Sequence, residues 1–260
     1  MTGYLAAAAS RCATIGRMSS GDDIGLWDEA AGRYAELAGV DDSFHRRLRP
    51  FLREVLGDVA GRRVLDVGCG PGWLSEQFRR EGAEVAGVDG SSALVRHARA
   101  AYPHVPFTVH DLTAGLPRPL QTYHAAVAHM VLMDLPEVES LVADISASLA
   151  AGGVFVFSIL HPCFFGQAPV EDTSTGERYR KVTGYLHRER RWITSFGGHH
   201  HYHRPLSWYV DLVARHRLVV TGMHEPPTLP GRLDAETEWT DYERWFATIP
   251  TMIAMACRPA

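Results

Sequence analysis

A chain of 260 residues, 46% hydrophobic and 22% charged, has enough apolar mass for a sizeable core, which excludes a globally disordered protein. Its formal net charge of −4 argues against a broad nucleic-acid-binding surface. Cys12, Cys69, Cys163 and Cys257 are scattered and form no CxxC pair, which argues against a disulfide framework or a zinc knuckle and makes a reducing cytoplasm the expected compartment.

Residues 1–20 read as a poorly ordered extension, because Leu5-Ala6-Ala7-Ala8-Ala9 is too short for a signal core and no basic residue precedes it. No apolar run reaches the roughly 18 residues needed to span a bilayer, so no membrane role is expected. Trp27, Ala30, Ala31, Tyr34 and Leu37 recur at helical spacing, and Phe44, Leu48, Phe51, Leu52, Val55 and Leu56 form a second apolar stripe closed by Gly57. The first strand is expected at Arg63–Val67, with a helix over Trp73–Glu81 stopped by Gly82. Val85–Asp89 reads as a second strand, Ser91 or Ser92 caps the next helix, and Phe107–Asp111 and Tyr123–His129 read as strands three and four. Glu137–Leu149 is an amphipathic helix, and Val154–Leu160 is a fifth strand.

This alternation implies an α/β fold with a parallel sheet wound on both faces. Its regularity breaks between His161 and Pro205, where Thr183–Phe196 suggests a hairpin. So long an irregular segment inside a compact domain needs a purpose, and a substrate cap over the carboxyl edge of the sheet supplies one. Leu206–Val213 resumes as helix, followed by strands at Leu218–Met223 and Met252–Cys257 that suit a terminal antiparallel hairpin.

The chemistry gathers at Val64–Ser75. A short apolar run ends in Asp66, Gly68, Gly70 and Gly72 follow at alternate positions, and an amphipathic stretch begins at Trp73. The pattern reads as strand, tight turn and helix start, at the end of a sheet where ligands bind. Acids also end the second and third strands, at Asp89 and Asp111. A carboxylate at the second strand end matches the two hydroxyls of a ribose, and one at the third can accept from an adenine amine. A dinucleotide site needs a third glycine where Trp73 stands and no acid before its diphosphate. Asp66 suits an ammonium group instead, so adenosine joined to an amino acid fits better than adenosine joined to phosphate.

On these motifs the chain resembles the class I S-adenosylmethionine-dependent methyltransferases of the small-molecule type, well from Asp66 to Leu160 and loosely elsewhere. The resemblance implies a Rossmann-like, doubly wound, mostly parallel seven-stranded sheet with an antiparallel last strand. N-terminal helices precede it, and a single domain over 21–260 carries 161–205 as a cap inserted after the fifth strand. The cofactor implied is S-adenosyl-L-methionine. Asp66, Gly68, Gly70 and Gly72 would hold its methionine moiety, and Asp89, with Gly90 and Ser91 beside it, the ribose. Asp111 and Leu112 would flank the adenine, His129 and Met130 would face the sulfonium, and Tyr34 would offer it an aromatic face. The His203-Arg204-Pro205-Leu206-Ser207 stretch also looks like one common before the late helix of this family.

Methyl transfer needs an acceptor lone pair, so His161, His129 and His203 are candidate bases, with Asp134 and Glu225 behind them. Each has a plainer reading: His161 as a capping residue before Pro162, His129 as cofactor lining, Asp134 as a solvated loop acid or helix cap. The run His199-His200-His201-Tyr202-His203 invites a metal, yet adjacent side chains cannot all converge on one ion, and no metal is expected. The partner expected is a small-molecule methyl acceptor, with secondary metabolism an association from the Ala- and Arg-rich composition, and with self-association into a homo-oligomer left open. Whether O, N or C is methylated stays open too. A nucleic-acid (RNA base) methyltransferase is the nearest alternative, followed by an NAD-linked oxidoreductase. His129-Met130-Val131-Leu132 lacks the Asn/Asp-Pro-Pro-aromatic turn of the first, and Asp66 and Trp73 disfavour the second.

Overall fold

The computed structural model describes residues 20–41, 43–167, 169–228 and 240–260. The extension expected over 1–20 lies outside the described residues, except for Ser20, which opens the first helix.

Helices α1 (Ser20–Asp41) and α2 (Ser43–Leu56) precede the first strand. The chain then alternates through β1 (Arg63–Val67), α3 (Trp73–Arg80), β2 (Glu84–Asp89), α4 (Ser92–Ala101) and β3 (Phe107–Val109). A 3-10 turn at Leu112–Ala114 stands where the next helix would, before β4 (Tyr123–His129), α5 (Glu139–Ser148) and β5 (Leu149–Leu160). Two hairpins follow, β6 (Pro169–Glu171) with β7 (Arg178–Arg180) and β8 (Glu189–Ile193) with β9 (His199–His203). The chain closes with α6 (Leu206–Arg215), β10 (Leu218–His224), α7 (Asp241–Ala247) and β11 (Met252–Pro259).

The main sheet has seven strands in the order β10-β11-β5-β4-β1-β2-β3. Strands β1 to β5 are mutually parallel, and β11 runs antiparallel to both neighbours, β5 and β10. The last strand is therefore antiparallel as expected, and it lies inside the sheet with β10 at the edge. Strand order reverses between β1 and β4, and such a reversal opens a crevice at the carboxyl ends of the strands.

Alternating side chains build a core on each face. From β5, Phe155, Phe157 and Ile159 join Leu141, Ile145 and Leu212 of α5 and α6 on one side. Val154 and Val156 join Leu48, Phe51 and Phe78 of α2 and α3 on the other. Burial on both faces is why these strands read as continuous apolar runs.

Two local expectations shift. The hairpin expected at Thr183–Phe196 forms six or so residues later, because its turn falls at Gly197-Gly198, both at positive φ (108° and 110°). A Cβ on Gly198 would overlap the Trp192 ring. Helix α7 has no counterpart in the expected elements. Its start is a capping box in which Thr240 Oγ1 accepts from the Glu243 N–H and Glu243 accepts from the Thr240 N–H. Among the described residues, no helix is long and apolar enough to cross a membrane.

Candidate active site

The glycine loop owes its shape to three different constraints. Gly68 has φ +66°, and a Cβ there would come within 2.8 Å of Val131 Cγ1 and closer still to Cγ2. The N–H groups of Gly68 and Cys69 both donate to the Val88 carbonyl (2.7 and 3.1 Å), which ties the loop to β2. Gly72, at φ +88°, packs against α4 and β3, and its Cβ would lie 2.8 Å from Phe107 Cζ. Gly70 (φ +52°) faces the crevice, with only Tyr34 (3.6 Å) near a built Cβ.

A cleft of about 710 Å³, counting its open side, lies at this crevice. Ten of the twelve expected cofactor residues line it: Tyr34, Gly68, Gly70, Asp89, Gly90, Ser91, Asp111, Leu112, His129 and Met130. Gly72 and Asp66 do not. Gly72 serves the packing of α3. Asp66 is 2% exposed and accepts a 2.5 Å hydrogen bond from Ser75 Oγ, fastening the end of β1 to the first turn of α3. Burial pushes its carboxyl up to about 7, with the nearby Asp89 charge adding and Ser75 opposing. Asp66, expected beside a ligand ammonium, is thus seen as a foundation under the loop and is not among the residues that line the cleft.

Asp89 is the centre of the cleft. Its Oδ2 accepts the Gly70 N–H and its Oδ1 the Ser91 N–H, both at 2.8 Å. Each carboxylate oxygen has further acceptor capacity beyond one amide. Asp111 caps the 3-10 turn, its Oδ1 accepting from Thr113 N (2.9 Å) and Oγ1 (2.7 Å), which brings Leu112 and Thr113 to the wall.

Helix α1 roofs the cleft, and most of its contributions carry no sequence motif. Asp28 reaches across to cap α4, accepting from Ser91 Oγ (2.6 Å) and Ala93 N (2.9 Å). Trp27 stacks 4.6 Å from the His199 ring, and Tyr34 lies between Trp73 (5.7 Å) and Phe196 (4.9 Å). Asp23 accepts from Tyr202 Oη and pairs with His200 Nδ1, each at 2.6 Å. The only forward signal was the aromatic spacing of Trp27 and Tyr34.

The cap also fixes the loop after β4. Arg204, 6% exposed, donates to the carbonyls of Leu132, Leu135 and Pro136, and Tyr202 N donates to Met133 O. This buries Asp134 on the cleft wall, so the solvated loop acid expected there is corrected. Its Oδ1 has no hydrogen-bond partner and lies 4.0 Å from His199 Nε2. Burial holds the Asp134 carboxyl well above its ordinary range, with Asp23 adding and Arg204 opposing, and burial pushes His199 down to about 4.

The three candidate bases separate. His129 lines the cleft, its Nδ1 2.7 Å from Ser158 Oγ, and the adjoining Met130 sits at φ 58°, a strained turn of the kind found at ligand sites. His161 has both ring nitrogens engaged: Nδ1 accepts from Cys163 N (3.2 Å), so Nε2–H donates to Glu225 (2.8 Å). No lone pair remains on that ring for a substrate. His203 lies away from the cleft, in a second cavity under the cap that His161 and His201 also line. In β9, alternation turns His199, His201 and His203 to one buried face and His200 and Tyr202 towards α1. Among the described residues, no group of three His, Cys, Asp or Glu side chains is placed to hold a metal ion.

A family model described as a methyltransferase domain matches residues 40–215. The chain belongs to the methyltransferase-domain family. It is 33% identical over 152 residues to a ubiquinone biosynthesis O-methyltransferase of Alkalilimnicola ehrlichii, covering 54% of this chain and 59% of that one. To a trans-aconitate 2-methyltransferase of Paracidovorax citrulli it is 36% identical over 118 residues, covering 44% and 45%. The chain thus spans about three fifths or less of the length of these relatives. Among solved structures it is similar to an S-adenosylmethionine-dependent methyltransferase of Mesorhizobium loti, with a TM-score of 0.71 and 25% identity over 82% of this chain and 97% of that one.

S-adenosylmethionine is the cofactor this methyltransferase site fits. Asp89, braced by two amides, can accept both ribose hydroxyls. Gly70 leaves room for the amino-acid end, and Tyr34 gives the sulfonium an aromatic neighbour.

Proposed function

We propose that this methyltransferase moves the methyl group of S-adenosylmethionine to a hydroxyl oxygen of a small molecule. The bracing of Asp89 by Gly70 and Ser91 carries the cofactor half of this reading, because it pre-orients a carboxylate for a vicinal diol before any ligand arrives. The oxygen-directed half rests on the likeness to a ubiquinone biosynthesis O-methyltransferase and on the acids at the cleft.

When bound, S-adenosylmethionine supplies an electrophilic methyl group on a positively charged sulfur. The protein's own work is alignment, exclusion of water and handling of one proton. Helix α1 roofs part of the cleft, fastened there by β9 through Asp23 and Trp27, and so shields it from water. A hydroxyl must lose its proton as its oxygen is methylated, and Asp134 is the group placed to take it. Asp134 lines the cleft and its Oδ1 has no hydrogen-bond partner, and these two observations support that role. His129, fastened to Ser158, lines the cleft beside it.

Calorimetric titration with S-adenosylhomocysteine and with NAD tests the cofactor. Micromolar binding of the first and none of the second is expected, and absence of S-adenosylhomocysteine binding would sink the reading.

A further inference from the structure

Helix α1 brings into the cofactor cleft a carboxylate that neither the glycine loop nor the strand ends account for. Asp23 is 6% exposed and lines the cleft. It is braced much as Asp89 is: its Oδ1 pairs with His200 Nδ1 and its Oδ2 accepts from Tyr202 Oη, each at 2.6 Å. Both partners stand on β9. A carboxylate oxygen has two acceptor sites, so each oxygen of Asp23 keeps capacity for a donor from the cleft. Trp27 follows on the same face of the helix, at the i+4 position, and also lines the cleft.

The charge of the cleft is one-sided. Asp23, Asp89, Asp111 and Asp134 line it, and among the described residues no lysine or arginine does. Arg204 is held on the carbonyls of Leu132, Leu135 and Pro136, and Arg190 reaches the Tyr202 hydroxyl, but neither faces the cleft. His199, pushed down to about 4 by burial, adds no positive charge at neutral pH. On the cofactor reading, Asp89 and Asp111 serve the ribose and the adenine. Asp23 and Asp134 are then left over, close enough that the Asp23 charge adds to the upward push burial gives Asp134. Carboxylates gathered in a partly dry cleft repel one another, and a cation placed beside them relieves that repulsion. An aromatic ring next to them strengthens the hold on such a cation.

We infer that the methyl acceptor carries a positive charge, held by Asp23 beside the Trp27 ring, which makes Asp23 a specificity-determining residue of the cleft. This deepens the proposed transfer to a hydroxyl and rests on it: the acceptor is a hydroxylated amine, and Asp134 is left to take the hydroxyl proton. An acceptor bearing carboxylates meets the opposite, four acids and no lysine or arginine.

The test is calorimetry at pH 7.5 on protein saturated with S-adenosylhomocysteine, using three phenols of similar shape: tyramine, a cation; 4-ethylphenol, neutral; and 3-(4-hydroxyphenyl)propanoate, an anion. Tyramine is expected to bind about tenfold more tightly than 4-ethylphenol, and the propanoate about tenfold more weakly still. Asp23→Asn should cut the preference for tyramine over 4-ethylphenol to about threefold or less. Tyr202→Phe loosens the same fastening without altering the charge of Asp23, so it should keep the preference even if both probes weaken. Should Asp23→Asn fail to fold, the order of the three probes in the parent decides, together with a fall of about threefold in the tyramine preference between 0.05 and 0.5 M NaCl. Four results would overturn the inference: the propanoate binding as tightly as tyramine, the same preference in Asp23→Asn as in the parent, loss of the preference in Tyr202→Phe, or no tyramine binding. Absence of S-adenosylhomocysteine binding in the parent would overturn the cofactor reading instead, so the two failures are distinct.

Discussion

The cofactor cleft and the cap cavity are neighbours built on opposite plans. The cleft draws on consecutive strand ends, Gly68 and Gly70 after β1, Asp89 at the end of β2, Asp111 after β3 and His129 at the end of β4. The cavity draws on one hairpin and the first residues after β5, held by contacts that leap along the chain, such as Asp23 to His200 across 177 positions. A strand-end site inherits its geometry from the sheet, whereas a cap site must be assembled by side chains that fasten one loop to another. Substitutions in the first should change cofactor binding or the fold itself, and substitutions in the second should change how the site closes.

The largest effect is expected from Asp89→Ala. It removes the acceptor of the Gly70 and Ser91 amides and, on the proposed cofactor reading, of two ribose hydroxyls. Hydrogen bonds to a charged group contribute about 1.5–3 kcal/mol each, so S-adenosylhomocysteine affinity should fall about 10²–10⁴-fold. Calorimetry measures the loss, and a thermal melt checks that the sheet survives. Unchanged affinity would remove Asp89 from the ribose role.

Asp66 separates foundation from wall. Its folded carboxyl titrates at about 7, against an ordinary value of 3.8. The folded state therefore holds this proton more tightly than the unfolded state. Its contribution to stability is full below pH 4 and is lost as pH rises through 7. At about 1.4 kcal/mol per pH unit, the loss is on the order of 4 kcal/mol. Asp66→Asn keeps an acceptor for Ser75 and cannot ionise, so it should be more stable than the parent at pH 8 by up to that amount and nearly equal at pH 4. Urea unfolding at the two pH values measures this. A constant difference would show that Asp66 does not titrate in that window.

How far the two plans are legible in the sequence follows from their construction. Asp66, Asp89 and Asp111 each stand at or beside the end of a short strand, a local pattern that survives without any knowledge of tertiary contacts. Asp66 and Asp89 look alike in that pattern, and only packing decides that one lies under the loop and the other faces the ligand. The alternation of parallel strands and helices was legible for the same reason, since β1, β2, β4 and β5 each carry a short buried run. The cap resisted because its order comes from afar. Asp134 resembles a solvated loop acid until Arg204 and Tyr202 pull its loop inward. Asp28 has no cue at all, because it caps a helix that begins 64 residues later. The Thr240–Glu243 capping box was readable locally, yet periodicity does not register a seven-residue helix.

Two glycines divide the loop's own roles. Gly68→Ala meets a positive φ and the side chain of Val131, and strain with overpacking should destabilise the fold by about 2–4 kcal/mol. Gly70→Ala meets only Tyr34 at 3.6 Å, so its stability cost should stay near 1 kcal/mol while its methyl intrudes on the cleft and weakens S-adenosylhomocysteine. Denaturant midpoints and calorimetry on the pair separate packing from binding, and equal stability losses would erase the distinction.

The smallest effect tests whether the cap governs the cleft at a distance. Tyr202 lines neither space, and its hydroxyl donates to Asp23 of α1. Tyr202→Phe removes the hydroxyl's bond to Asp23 and its contact with Arg190, leaving the Tyr202 backbone N–H on Met133 O and His200 on Asp23. A hydrogen bond to a carboxylate is worth about 1.5 kcal/mol at the low end, which caps the effect near tenfold. Because α1 roofs the cleft, the weakened fastening should open the roof more often. The S-adenosylhomocysteine off-rate should then rise about three- to tenfold with little change in on-rate. Stopped-flow displacement measures the off-rate, and an unchanged off-rate would mean that the Tyr202 hydroxyl does not hold the roof.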